Sequence, residues 1–315
     1  MTKAYAFGGN TMTVLVPGAE TGGAFAVLHV VKPAGSSTPP HSHDRETEVS
    51  YVLSGALGVE TEGRSTILGP GELRVLPPKR PHRLFNDSAA AAREFLLCVP
   101  AWFDRFVAAA GSEVSPYAEP RAMTDADRQR LVEAAPAFGV RLLRSAEPDQ
   151  PAPPPAIREP ERWDALGARV EVLARLGGGD DDLVLLRESV APGWTVPLHG
   201  HADPECVFII SGTLDLYRDG PGGGWLRLDP DEAGYVAPNV RHAIRNAGSA
   251  SADLLTVTTV RMSRFFATIG SPAIGDTPRP ASPAEMAAFP GHVADYGYWL
   301  GSREENAAIG LAWNG

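Results

Sequence analysis

Two short stretches hold histidines at the spacing a metal ion needs. Residues 39–55 read PPHSHDRETEVSYVLSG and contain His41, His43 and Glu48. Residues 196–212 read VPLHGHADPECVFIISG and contain His199, His201 and Glu205. A third histidine follows each set, His82 in PPKRPHRLFN and His242 in APNVRHAIRN. In a strand, residues i and i+2 share a face about 6.5–7 Å apart, so each His-x-His pair projects two imidazoles to one side. Glu48 stands an odd number of residues from both histidines and cannot continue that strand on the same face. The polar run Asp44-Arg45-Glu46-Thr47 suits a turn, after which Glu48 opens a new strand aimed back at the same point. Ala202-Asp203-Pro204 makes the matching turn before Glu205. Asp44, Glu46 and Asp203 are read as solvated turn residues. Three neutral imidazoles and one carboxylate suit Fe, Ni, Mn, Co or Zn better than Ca or Mg. Four protein ligands leave room for substrate or water on an ion that accepts five or six.

The elements that must position these residues are written twice. His41 and His199 lie 158 residues apart, and the offset holds between 157 and 160 over more than a hundred residues. Gly35 matches Gly193, Gly55 matches Gly212, and RFVAAAGS (105–112) matches RFFATIGS (264–271). Phe138-Gly139 matches Tyr296-Gly297. Such register indicates internal duplication. The expected units are 1–148 and 163–315, joined by a Pro-rich linker at 149–162 whose composition favours an extended chain. Within each unit, short runs rich in Val, Leu, Thr and Phe alternate with Gly, Pro, Asn and Asp, the pattern of a β barrel or sandwich. A helical tail follows each set of strands. Residues 102–110 are Ala-rich, and Thr124 and Ser282 both stand at helix starts, the second with Pro283 at the first helical position and Glu285 completing a capping box.

Bulk properties narrow the function. Hydrophobic residues make up 43% of the 315, enough for two cores. A net charge of −10 without any Lys/Arg cluster argues against nucleic acid or an anionic membrane as partner. MTKAYAFGGN lacks the apolar core of a signal peptide, and no apolar run reaches transmembrane length. Cys98 and Cys206 both sit in apolar runs, so no disulfide framework is expected. The expectation is a cytoplasmic protein, as a monomer or homodimer.

The two constellations resemble the cupin superfamily. The first reads Gly35-(x)5-His41-x-His43-(x)4-Glu48-(x)6-Gly55, then Gly71-(x)5-Pro77-(x)4-His82-(x)3-Asn86. The second reads Gly193-(x)5-His199-x-His201-(x)3-Glu205-(x)6-Gly212, then Pro238-(x)3-His242-(x)3-Asn246. The family's Gly two residues after the motif Pro is replaced by Lys79 in the first copy, and by Asn239 or Val240 in the second. The resemblance implies an all-β fold of two double-stranded β-helix (jelly-roll) barrels with flanking helices. It implies one divalent transition metal per barrel, held by His41, His43, Glu48 and His82 and by His199, His201, Glu205 and His242. VPAWFDRFVAAAGSEV (99–114) and the later FGVRLL further resemble the quercetin-dioxygenase-like bicupins. That branch implies a dioxygenase acting with O2 on an aromatic or enolic small molecule. The ion would lower the pKa of a substrate oxygen, and Glu48 or Glu205 would take its proton. The alternatives are a metal-dependent isomerase, cyclase or decarboxylase without O2, and a non-enzymatic small-molecule-binding cupin. On the strand face of Glu48 lie Ser50, Val52 and Ser54, against Val207, Ile209 and Ser211 on that of Glu205. The first pocket is therefore expected to be the more polar, and this, with the resemblance to bicupins in which the N-terminal site is the better supported, leads to the expectation that it carries turnover.

Overall fold

The structure is a computed structural model that describes residues 2–116, 118–144, 161–275 and 277–312. It divides into two compact units, Met1–Ala156 and Ile157–Gly315. Most of the expected linker lies outside the described residues, and the first strand of the second unit, Arg162–Ala165, begins at its end.

Each unit is a pair of antiparallel sheets. In the first, a seven-stranded sheet runs Ser112–Val114, Lys3–Phe7, Asn10–Val16, Ala26–Lys32, Ala92–Val99, Thr47–Ser54 and Leu73–Leu76. The second sheet carries His41–His43 beside His82–Asn86, followed by Leu57–Thr61 and Arg64–Leu68. The second unit repeats this, with Thr195–Gly200 beside His242–Arg245 in one sheet and Glu205–Ser211 beside Ala252–Thr259 in the other. Strand alternation sends one face of each sheet inward. In the first unit, Ala26, Leu28, Val30, Leu96 and Cys98 share one core cluster. In the second, Leu186, Val207, Ile209, Leu216 and Leu254 do the same. The all-β expectation holds.

The motif residues that bind nothing have backbone work. Gly55 and Gly212 take φ of +78° and +75°, and an added Cβ would come within 2.7 Å of the Ala91 carbonyl or 2.5 Å of the Ser251 carbonyl. Only glycine meets both demands. Asn86 and Asn246 donate from Nδ2 to the Ala90 and Ala250 carbonyls at 2.8 and 2.9 Å, closing the turn after each third-histidine strand. The position where the family pattern has Gly is left-handed in both copies: Lys79 has φ of 64° and Asn239 has φ of 65°. Their amides donate to the carbonyls of His43 and His201 at 2.6 and 2.7 Å, so this turn clamps the second histidine of each pair.

The helical tails follow the capping signals. Phe103–Ala110 and Val260–Ile269 close the barrels after the long strands. Asp125–Ala134 starts at Thr124, whose capping box is completed by Asp127. Pro283–Asp295 starts at Ser282 with Glu285 in the same role. No helix among the described residues is long and apolar enough to cross a membrane.

Candidate metal centres and the second-barrel cavity

Strand pairing brings the eight residues into two groups of four. His41 pairs in register with His82, and His199 with His242. Glu48 and Glu205 enter from the neighbouring sheet. In each group, one ligand atom from every residue lies within 4.8 Å of the others. All the expected site residues are thus brought together, and none is left outside.

The imidazoles are oriented by their far nitrogens. Nδ1 of His41, His82, His199 and His242 lies 2.9, 3.0, 2.8 and 2.9 Å from the carbonyls of Pro39, Arg80, Pro197 and Val240. Nδ1 of His201 lies 3.0 Å from the Asp203 carbonyl. A carbonyl only accepts, so each Nδ1 carries the proton and each Nε2 presents a lone pair to the centre. Nε2 of His43, His82, His201 and His242 is buried without a hydrogen-bond partner. The nearest carboxylate oxygens of Glu48 and Glu205 stand 3.2–3.7 Å from them. Buried lone pairs converging at that distance fit a cation between them, since orphaned polar atoms in a core are otherwise costly. Charge states agree at His41, His199 and Glu205, whereas at His43 burial is outweighed by Glu48 and Glu46, which raise its pKa, so an ion bound there displaces a proton. Burial, then His82 and His43, push His41 down to about 3, and burial and His242 hold His199 well below its ordinary value. Burial works to raise Glu205, but the His201 and His242 rings outweigh it and keep the carboxylate ionised. Neutral imidazoles and an ionised carboxylate are the ligating forms. Each barrel therefore carries a centre of three histidines and one glutamate, suited to one divalent transition metal ion.

Two acids read as solvated turn residues are buried instead. Glu46 is 2% exposed; it accepts from the Phe103 amide at 2.5 Å and stands 3.4 Å from Nδ1 of His43. It fixes the one ring of the first centre that has no carbonyl behind it. Asp203 is fully buried and bonds the Thr259 hydroxyl and Arg261, the latter at 2.9 Å. Both therefore tie the metal-site turn to the start of the capping helix. Asp44 is half-buried and pairs with Arg141 at 2.7 Å.

The two copies differ most where a substrate would sit. In the first, Phe7 stacks edge-on against Phe103 and Phe106 with centroids at 5.8 and 5.0 Å, and Phe103 lies 5.5 Å from the His43 ring. In the second, Ala165 ends the strand equivalent to that of Phe7, and Met262 replaces Phe103 on the helix. The second barrel holds a cavity of about 80 Å³, several times the space one water needs. Ala165, Ala168, Met262, Phe265, Phe266 and Leu254 supply its apolar walls, and His199, His201 and Glu205 lie on its surface. No Lys or Arg lines it among the described residues. Tyr298 and Glu188 add polar atoms that the sequence reading did not single out. The Tyr298 ring lies 5.3 Å from that of His201. Its position could have been found from the Phe138/Tyr296 match two residues earlier.

Two antiparallel barrels, each with three histidines and a glutamate converging on one point, define a duplicated metal-binding β-barrel protein. The cupin domain family matches residues 27–99 and 186–258, one match in each unit, and the chain belongs to the cupin superfamily as a bicupin. Among curated proteins, quercetin 2,3-dioxygenase of Bacillus subtilis (strain 168) is 25% identical over 288 residues, covering 86% of this chain and 84% of that one. Among solved structures, oxalate decarboxylase of Bacillus subtilis matches with a TM-score of 0.52 at 18% identity, covering 82% of this chain and 74% of the other. A putative glyoxylate-induced protein from Pseudomonas aeruginosa matches with a TM-score of 0.53 at 12% identity, covering 82% of each chain. At these identities the solved structures share the fold.

Proposed function

We propose that this bicupin is a metal-dependent dioxygenase acting on an aromatic or enolic small molecule, and that its chemistry takes place in the second barrel. The observation that carries the reading is the apolar cavity ending on His199, His201 and Glu205. The likeness to a quercetin 2,3-dioxygenase supports the same reaction class. His199, His201, His242 and Glu205 would hold the ion, which supplies Lewis-acid activation of a substrate oxygen and of O2. Glu205 is the catalytic base: its carboxylate takes the enolic or phenolic proton. Met262, Phe265, Phe266 and Leu254 flank the ring and keep water from the reacting carbons. The expectation that the first barrel carries turnover is given up, because Phe7, Phe103 and Phe106 fill the space beside His43 that Ala165 and Met262 leave open in the second copy. The first centre, His41, His43, Glu48 and His82, is assigned a metal-binding role, with Glu48 as ligand.

Decarboxylation of a small dianion is the runner-up, suggested by the oxalate decarboxylase fold match. A divalent ion already partly neutralised by Glu205 leaves less than the two charges a dianion needs, so a cationic side chain would have to supply the rest. Among the described residues the lining offers none, which favours a neutral or singly charged ring compound. A cytoplasmic setting suits the two buried, unpaired cysteines. The test is an oxygen electrode with a panel of flavonols, enolic diones and catechol-like acids. The reading expects one O2 consumed per substrate, with both atoms of labelled O2 in product. Turnover of any of these compounds without oxygen uptake replaces it with the isomerase or decarboxylase reading.

A further inference from the structure

Among the described residues, Glu188 is the one carboxylate other than Glu205 on the cavity surface. It sits on Leu183–Val190, opposite Leu254, and is 6% exposed. Burial raises its pKa to about 7; the Thr256 hydroxyl eases that shift and Glu205 adds to it. No cation is among the groups acting on it. The first copy treats the same ground differently. Val30, five residues before Gly35 as Glu188 is before Gly193, faces Glu94 across the strand pair. Glu94 is matched by Lys32 at 3.4 Å, both nearly fully buried. In the second copy the Lys32 and Glu94 positions are Val190 and Leu254, so no cation accompanies the acid. A buried carboxyl without a cation is costly, and a ligand that hydrogen-bonds it removes that cost.

We infer that Glu188 is a specificity-determining residue of the second barrel, accepting a hydrogen bond from a hydroxyl on the far ring of an aromatic substrate whose enolic end faces His199, His201, Glu205 and His242. The inference rests on the function proposed above. A hydroxyl is the matching group because a carboxyl oxygen accepts from it whether or not Glu188 is protonated. The cavity then offers two polar anchors among apolar walls: the metal-directed group at His199, His201 and Glu205, and the acceptor at Glu188.

The test is equilibrium binding to the metal-loaded protein, followed by ligand absorbance under nitrogen. Quercetin and 3-hydroxyflavone share the enolic keto group, but only quercetin has hydroxyls on the far rings. The wild type should prefer quercetin by about tenfold, the typical worth of one such hydrogen bond. Glu188→Leu should erase the preference while leaving metal content and 3-hydroxyflavone affinity unchanged. Glu188→Gln, whose amide oxygen still accepts, should keep it. Should the leucine variant lose its metal, Glu188→Val copies Val30 of the first barrel and gives the same reading. A quercetin preference that survives in Glu188→Leu, or that is absent from the wild type, overturns the role of Glu188 and leaves the dioxygenase reading standing. Failure of both flavonols to bind the wild type overturns the inference together with the aromatic substrate class.

Discussion

Replacing Ala165 with phenylalanine copies into the second barrel the side chain that Phe7 places in the first. Ala165 is 3% exposed and lies on the cavity wall, so the new ring has the cavity as its one open direction. At about 24 cal/mol per Å³, filling about 80 Å³ is worth about 2 kcal/mol of stability. Overpacking against Met262 and Phe265 would take back part of that, commonly about 1–3 kcal/mol. The melting temperature should therefore stay the same or rise by a few degrees. Ligand binding should behave oppositely. Denying a substrate ring its place forfeits about 3 kcal/mol of apolar burial, roughly a hundredfold in affinity. Elemental analysis should find the metal content unchanged, because Ala165 is not one of the four ligands. The assay is flavonol titration and oxygen uptake, with Phe7→Ala as the reciprocal variant. Phe7→Ala should cost about 3–5 kcal/mol by opening a void in the first barrel, yet leave turnover in place. Unaltered flavonol affinity in a folded Ala165→Phe protein would refute the assignment of the cavity as the substrate chamber.

Three further outcomes follow from the same geometry. Lys79→Gly should stabilise the first barrel by about 1 kcal/mol in chemical denaturation, since the left-handed conformation at φ of 64° strains a lysine; a loss of stability would mean the lysine side chain contributes more than the strain costs. In protein stripped of metal, Glu188 titrates near 7 folded and near its ordinary 4.5 unfolded, so the native state binds the extra proton between those values. Its contribution is fully present below about pH 4.5 and is lost as pH rises through about 7, up to about 3 kcal/mol; Glu188→Gln should flatten that decline, and a parallel decline in the variant would show that other groups cause it. Protein purified without chelator should hold close to two transition-metal equivalents and lose several degrees of melting temperature in EDTA, whereas one equivalent or fewer would exclude two working centres.

The ligands were legible because their pattern is local. His41 and His43, or His199 and His201, share a face by the two-residue repeat of a strand, and the duplication repeats the whole set. Chain order also located the helix starts at Thr124 and Ser282, since capping depends on residues three apart. What escaped depends on distant partners. Glu46 reads as a turn acid until the Phe103 amide, 57 residues on, is seen to bond it. Asp203 reads as a turn acid until Thr259 and Arg261, 56 and 58 residues on, are seen to bond it. The proposed reversal of the two pockets also rests on distant residues. Ser50 and Val207 are neighbours of the ligand glutamates in sequence, but the space beside each centre is decided by Phe7 or Ala165 on the first strand of each unit. Glu188 lay in an apolar run whose inward face could not be chosen without the pairing to Leu254.

The most direct test compares His242→Ala with His82→Ala on a flavonol substrate in the oxygen electrode, each with its metal content measured. Both should fold and each should lose one metal equivalent, because each removes one of four ligands from a different centre. The account predicts that His242→Ala consumes no oxygen and that His82→Ala keeps most of the wild-type rate. An inactive His82→Ala beside an active His242→Ala would contradict it and return the chemistry to the first barrel.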